Sequence, residues 1–203
     1  TFYDVVHLSK DMVSGRHPHF KAGARIDFFA YSIGVLLAQI LIMANPQKLF
    51  DKTRLFMFAG GSTMDLTKPS SKLILDSEAG TALTTFFNKL FDPVFKTDPA
   101  VAAFAQEKSR EMKYFKSMLR SDRMASVREK RFKQLADSLM TVALAQDSVF
   151  PVTALQQTLK SERTRNRGNF VVLDFPFSYS HENPFPTAIK TQAAVDTCFS
   201  QVM

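Results

Sequence analysis

The chain of 203 residues contains one cysteine, Cys198, and no tryptophan. A single cysteine excludes a disulfide scaffold within the chain and a zinc site built from several cysteines. The longest apolar stretch, at 35–44, is too short to cross a bilayer and is interrupted by Gln39. The chain has no internal repeat and no low-complexity tract. What is present, 45% hydrophobic and 22% charged residues, is typical of a globular protein with a packed core.

Short apolar runs alternate with helical patterns along the chain and predict an α/β protein. The runs are continuous, which is typical of parallel strands covered on both faces. We expect strands at 25–29, 55–59, 139–145 and 170–173, and helices at 2–13, 35–45, 77–91, 99–119, 122–136, 152–160 and from residue 187. Residues 64–138 then form a helical insertion, and residues 1–63 and 139–203 form a core with a parallel sheet flanked by helices.

Ser32 lies between the first predicted strand and the helix that follows, in the sequence Ala30-Tyr31-Ser32-Ile33-Gly34. A tight strand-to-helix turn lifts a serine hydroxyl above the end of a sheet, where it can act as a nucleophile. Ala30 and Gly34 are small, as we expect where the strand and helix backbones pass closely. The backbone N–H of Ile33, at the start of the helix, would be one donor to an oxyanion.

This turn resembles the G-x-S-x-G nucleophile elbow of the α/β-hydrolase superfamily, with alanine in place of the first glycine. The resemblance implies an acid and then a histidine, each after a later strand. Asp147 follows the third predicted strand in the run DSVFP, which looks like the superfamily's acid turn. His181 follows the fourth strand and precedes the last helix. The implied protein is a serine hydrolase that acts on a small-molecule acyl substrate, with no cofactor and no metal.

A narrower resemblance covers most of the chain and is to uncharacterised hydrolase-like proteins of gut-type bacteria, known as a domain of unknown function. It rests on residues 26–34, 55–61 and 173–186. The superfamily resemblance also implies a larger sheet, of which this chain supplies the last four strands. We therefore expect the N-terminal half of that fold, with the second oxyanion donor, to be absent from this chain.

Each candidate residue also has a structural interpretation. Asp147 could cap the helix that begins near Pro151, and His181 could be a hydrogen-bonding residue of an aromatic, proline-rich loop. Two further carboxylates compete for the role of the acid, Asp65 after the second strand and Asp174 at the end of the last one. We expect Asp174 to lie too near its strand to reach the imidazole, which makes Asp65 the alternative acid. The chain could also be a catalytically silent domain that binds a ligand or partner.

Two other features have both a functional and a structural interpretation. Residues 107–133 carry ten cationic and four anionic side chains, most of the net charge of +7. They could form a surface-binding module for nucleic acid or anionic lipid, but without a nucleic-acid motif we expect a solvated face and no nucleic acid. His17 and His19 could suggest a metal, but no third ligand follows at a useful spacing, so we expect a solvated loop.

Phenylalanine is abundant, with 20 residues in the chain. Seven lie within the predicted insertion: Phe86, Phe87, Phe91, Phe95, Phe104, Phe115 and Phe132. We expect most of them to pack in a core. If two or three line a pocket, an acyl or aromatic substrate fits better than a sugar.

Overall fold

A parallel sheet of four strands is flanked by helices, as the sequence predicts for an α/β protein. The structure is a computed structural model that describes residues 1–68, 77–91, 99–159, 169–187 and 189–200. The strands are β1 (Phe28–Tyr31), β2 (Leu55–Phe58), β3 (Leu139–Leu144) and β4 (Phe170–Leu173). The helices are α1 (Phe2–Ser14), α2 (Gly34–Ala44), α3 (Ser77–Phe91), α4 (Pro99–Gln106), α5 (Arg110–Ser117), α6 (Ala125–Leu135), α7 (Val152–Thr158) and α8 (Ile189–Ser200). Some predicted features lie outside the described part. They are residue 160, where the helix predicted from 152 ends, Phe95, and the side chains of Phe87 and Phe91.

The strands follow one another in chain order, β1-β2-β3-β4, and each neighbouring pair is parallel. Tyr31 is in register with Phe58, and Leu144 with Leu173. The carboxyl ends of the strands therefore meet at one edge of the sheet, the edge where ligands bind in open α/β folds. The loops that begin there contain Ser32, Asp147 and His181.

Helix α2 packs against one face of the sheet and carries much of the main core. Val35, Leu41 and Met43 are buried there with apolar side chains of β2 and β3. Met118 and Phe132, from the segment predicted as an insertion, lie in the same cluster, so the end of that segment helps to hold α2 in place. Although α2 is almost wholly apolar, no helix in the described ranges is long and apolar enough to span a membrane.

The opposite face of the sheet is covered by α8 and by the aromatic loop that follows β4. Phe58, Val142 and Leu173 of the strands pack there with Phe175 and Tyr179 of the loop. Alternate residues of β2 thus belong to different clusters, since Leu55 and Met57 face α2 and Phe58 faces α8. Burial on both faces explains why β2 and β3 read as continuous apolar runs, whereas Phe29 of β1 is 71% exposed.

The helix predicted over 99–119 is two helices, α4 and α5, because the residues between them form local side-chain bonds. Ser109 caps α5 by accepting the N–H of Met112 at 3.4 Å. The carboxylate of Glu107 accepts the N–H of Ser109 at 2.8 Å. Such bonds compete with helical ones, so the prediction of a continuous helix was wrong although its apolar spacing was continuous.

Strand β1 begins three residues later than predicted because Asp27 is occupied outside the ladder. Its carboxylate accepts the backbone N–H of Arg54 at 2.8 Å and pairs with the guanidinium groups of Arg25 and Arg54. At its other end the strand continues through Ala30 and Tyr31. The turn between β1 and α2 therefore contains only Ser32 and Ile33.

Candidate active site

Ser32 occupies the turn between β1 and α2 with a left-handed backbone, at a φ of 54°. Residues other than glycine adopt this conformation rarely because the Cβ crowds the backbone. The turn is fixed from both sides, since the N–H of Ser32 donates to the carbonyl of Phe58 and its carbonyl accepts the N–H of Val35, each at 3.1 Å. Strained turns of this kind expose nucleophilic serines at the end of a sheet.

Gly60, in the loop after β2, is the glycine that this turn requires. A Cβ at Gly60 would lie 2.4 Å from the carbonyl oxygen of Ser32, whereas a Cβ at Gly34 would have nothing within 4 Å. The expected close approach at Gly34 was therefore wrong, and the close approach is between the turn and the loop after β2. Ala30 is buried in β1 opposite Met57. In the sequence, Gly60 indicated only the end of a strand.

His181 connects Ser32 to Asp147. Its Nε2 lies 2.7 Å from Oγ of Ser32, and its Nδ1 lies 2.9 Å from Oδ2 of Asp147. All three side chains are buried, and His181 is only 1% exposed. The carboxylate favours the tautomer with a proton on Nδ1, which leaves Nε2 free to accept the serine proton.

Asp147 does not cap α7, which begins after Pro151 without a side-chain capping bond, so that interpretation was wrong. Its Oδ1 accepts the backbone N–H groups of Val149 and Phe150, each at 2.8 Å, and so fixes the turn before α7. Its Oδ2 is the oxygen beside the imidazole. The turn bonds hold the carboxylate in one orientation, so that the second oxygen stays at the ring.

The two competing carboxylates are engaged elsewhere. Asp65 accepts the backbone N–H and the hydroxyl of Ser121, at 2.7 to 3.0 Å, in the turn between α5 and α6. Asp174 accepts the side-chain amide of Gln146 at 3.0 Å and the hydroxyl of Tyr179 at 3.2 Å. Of the three carboxylates considered, the described contacts put Asp147 at the imidazole.

Two aromatic side chains that the sequence did not single out flank the imidazole. The ring of Tyr31 stacks on that of His181 with a centroid distance of 5.4 Å and an interplanar angle of 17°, and Phe150 lies 5.4 Å away on a tilted plane. The Tyr31 hydroxyl donates to the backbone carbonyl of His181. Burial raises the pKa of this phenol, and the charge of Asp147 raises it further, so it remains a donor at neutral pH. Adjacency to Ser32 was the available sequence signal for Tyr31.

A third aromatic residue, Tyr179, joins the loop of the acid to the loop of the histidine. Its hydroxyl accepts the backbone N–H of Gln146 at 3.0 Å, just before Asp147, while Tyr179 itself lies two residues before His181. Burial raises the pKa of this phenol as well. The carboxylate and the imidazole are therefore held together by a bond between their loops besides their own contact.

The backbone N–H of Ile33 has no acceptor among the described residues. It is one of the first N–H groups at the start of α2, which lack intrahelical partners, and it directly follows the serine. Such a group suits an oxyanion that develops on an atom bonded to the serine oxygen. The Ile33 side chain is 49% exposed and lies beside the turn.

The basic segment 107–133 uses several of its cations inside the protein. Arg128 is buried and donates to backbone carbonyls of the turn between α5 and α6. Arg131 donates to the carbonyls of Ile42 and Met43, each at 3.0 Å, at the C-terminal end of α2. Lys116 donates to a backbone carbonyl at 2.7 Å. The exposed positive charge is therefore smaller than the residue count indicates.

His17 and His19, the residues that could suggest a metal, lie on a turn after α1 with their ring centroids 5.6 Å apart. The backbone N–H of His19 donates to Nδ1 of His17 at 3.3 Å. Within the described residues, no three potential metal ligands of the His, Cys, Asp and Glu types lie together.

Comparison with known proteins gives a family and no activity. The profile of one family, described as "Family of unknown function (DUF6051)", matches residues 1–203. No curated protein and no solved structure matches the chain. The geometry of the site is therefore the evidence from which a function can be inferred.

Proposed function

The chain belongs to this family of unknown function, and we propose that it is a serine hydrolase that cleaves an ester or a related acyl bond. The observation that carries the proposal is the continuous contact from Ser32 through His181 to Asp147, with distances of 2.7 and 2.9 Å. A serine hydroxyl is a weak nucleophile unless a neighbouring base takes its proton. A buried imidazole held by a carboxylate is such a base.

The first half-reaction forms an acyl-enzyme. Oγ of Ser32 attacks the carbonyl carbon of the substrate while its proton passes to Nε2 of His181. The carbonyl π electrons move to oxygen, and the N–H of Ile33 donates to the resulting oxyanion. When the carbonyl re-forms, the bond to the leaving group breaks, and His181 gives its proton to the leaving oxygen. The products are acyl-Ser32 and a free alcohol.

The second half-reaction repeats these steps with water. His181 takes a proton from a water molecule, whose oxygen attacks the acyl carbon. The bond to Oγ of Ser32 then breaks, and His181 returns the proton to the serine. A carboxylic acid leaves and the enzyme is restored, so water is the one co-reactant that the balance needs. Asp147 stabilises the imidazolium in both halves and does not take the proton.

We also infer that the sheet corresponds to the last four strands of an α/β-hydrolase fold, with residues 64–138 as its cap insertion. The support is the order of the site residues along the sheet. The serine follows β1, the acid follows β3 and the histidine follows β4, at one edge of four parallel strands. Helices α3 to α6 all lie between β2 and β3, where the resemblance implies the cap.

Hydrolysis of p-nitrophenyl acetate by the full-length protein tests the proposal. We expect turnover to fall at least about a thousand-fold in Ser32→Ala and in His181→Ala, and less in Asp147→Asn. Ser126→Ala, at an exposed position of α6, is the matched control and should keep the wild-type rate. Equal turnover by the wild type and by Ser32→Ala would contradict the proposal.

A further inference from the structure

A cavity of about 640 Å³ lies between α1, α2 and α5, and its lining includes Ile33, the residue that follows the candidate nucleophile. One wall is formed by Ile33, the N-cap of α2, and by Leu36, Leu37 and Ile40 of that helix, and Met112 and Phe115 of α5 also line the cavity. Ile33 directly follows Ser32, so the wall of the cavity starts at the residue whose N–H faces the reacting centre in the proposed mechanism.

The exposure of the side chains changes along the α2 wall of the cavity. Ile33, Leu36, Leu37 and Ile40 recur at the spacing that places residues on one face of a helix. Their exposure falls along that face, from 49% at Ile33 to 6% at Ile40. Tyr3 and Glu107 on the other walls are exposed too, so the α2 wall runs from an exposed end at Ile33 to a buried end at Ile40. At 1.5 Å per residue, the distance between these two positions along the helix axis is about 10 Å.

We propose that this cavity holds the acyl group of the substrate, an uncharged apolar group whose longest chain has about eight carbons. The inference rests on the proposed function, because Ser32 would carry the acyl group and Ile33, the next residue, is part of the cavity wall. The α2 wall, about 10 Å long, matches an extended chain of about eight carbons. The volume lies within the range of ordinary small-molecule sites, roughly 300–1,000 Å³.

Two carboxylates, Glu107 and Glu111, lie in the cavity wall. Glu107 accepts the N–H of Ser109 at 2.8 Å, and this bond holds the pKa of Glu107 below its ordinary value, so the group is ionised at neutral pH. Glu111 accepts the hydroxyl of Tyr3 at the same wall. Lys116 lies close enough to Glu107 to lower its pKa further, so the charges at this wall are mixed. The apolar side chains of the lining therefore set the preference for a neutral chain, because a terminal carboxylate buried among them would lose its hydration.

A series of p-nitrophenyl esters with acyl chains of increasing length tests the assignment in the full-length protein. We expect kcat/KM to rise by about fourfold for each added methylene up to about eight carbons, and not beyond, because each methylene then leaves water. The ester of an eight-carbon chain that ends in a carboxylate should react at least about tenfold more slowly than the octanoyl ester, because its charge would leave water for an apolar lining.

Two tryptophan substitutions fill the cavity from opposite walls. Leu37→Trp and Met112→Trp should shift the preferred chain to about four carbons or fewer and lower kcat/KM for the octanoyl ester at least about tenfold. The ratio of kcat/KM for the octanoyl ester to that for the acetyl ester should fall by the same factor, since the acetyl chain does not reach these positions. Leu8→Trp, at an exposed position of α1 outside the lining, is the matched control and should keep the wild-type profile.

Labelling of Ser32 by a short-chain fluorophosphonate separates failure of the cavity assignment from failure of the proposed function. If Ser32 is labelled but the chain-length profile is flat, or both tryptophan variants keep the wild-type profile, the cavity assignment is overturned and the proposed function stands. If Ser32 of the folded protein is not labelled, the proposed function fails and the acyl assignment fails with it. If neither tryptophan variant is labelled, the cavity assignment is decided by two measurements on the wild-type protein, its chain-length profile and the comparison of the octanoyl ester with the ester that ends in a carboxylate.

Discussion

The left-handed backbone of Ser32 leads us to expect that glycine at this position is more stable than alanine. At a φ of 54°, an L side chain costs roughly 1–2 kcal/mol that glycine does not carry. Ser32→Ala and Ser32→Gly both remove the hydroxyl and its contact with His181, so this loss cancels when the two variants are compared. The greater freedom of glycine in the unfolded chain opposes the gain by about 0.4–1 kcal/mol. We therefore expect Ser32→Gly to be the more stable variant by about 1 kcal/mol or slightly less.

Urea unfolding of the two variants in parallel measures this difference in the free energy of unfolding, provided that their m values agree. The same comparison of glycine with alanine at Lys130, an exposed position in the interior of α6, is the control, and there glycine should be the less stable variant by about 1 kcal/mol. If glycine is less stable than alanine at both positions, Ser32 does not occupy a left-handed turn and the reasoning is refuted.

Three further substitutions test the contacts that support the site. Gly60→Ala places a methyl group 2.4 Å from the carbonyl oxygen of Ser32, so labelling of Ser32 by a fluorophosphonate should slow at least about tenfold. Gly34→Ala, where the methyl group has open space, should keep the wild-type labelling rate, and equal rates for the two variants would contradict the close approach. Tyr31→Phe keeps the aromatic ring but removes the hydrogen bond from the Tyr31 hydroxyl to the backbone carbonyl of His181. We expect labelling of Ser32 to slow severalfold and the free energy of unfolding to fall by about 1 kcal/mol, and no change in either quantity would show that the bond has no role. Arg128→Met removes the donor to four backbone carbonyls, so the free energy of unfolding measured in urea should fall by about 2–4 kcal/mol. Lys130→Met, at an exposed position, should lower it by less than about 0.5 kcal/mol, and similar losses in the two variants would mean that Arg128 is not buried in solution.

The parallel sheet and the residues at its edge could be predicted because they depend on local patterns and on chain order. Apolar runs identified the strands, and parallel strands bring their carboxyl ends to one edge whatever the length of the segments between them. Ser32 and His181 are 149 residues apart in the chain, yet their side chains meet at that edge. The sequence favoured Asp147 over Asp65 only through the resemblance of its turn to the acid turn of the superfamily, since each carboxylate follows a strand.

What the sequence did not reveal depends on contacts between distant segments. The demand for glycine at Gly60 arises from the carbonyl of Ser32, in a different loop. The sequence predicts that Arg128 lies on a solvated face, but its guanidinium donates to backbone carbonyls of the turn between α5 and α6. The break before α5 had a local cause, but a weak one, because the capping bond of Ser109 competes with helical bonds of similar strength.

The mass of the Ser32 peptide, after the full-length protein has reacted with a fluorophosphonate, tests the central claim most directly. We expect one phosphonyl group on Ser32, formed at least about a thousand-fold more slowly in His181→Ala, and no adduct in Ser32→Ala. An unmodified Ser32 in the folded protein would contradict the claim that Ser32 is an activated nucleophile. So would an adduct on another residue that persists in Ser32→Ala.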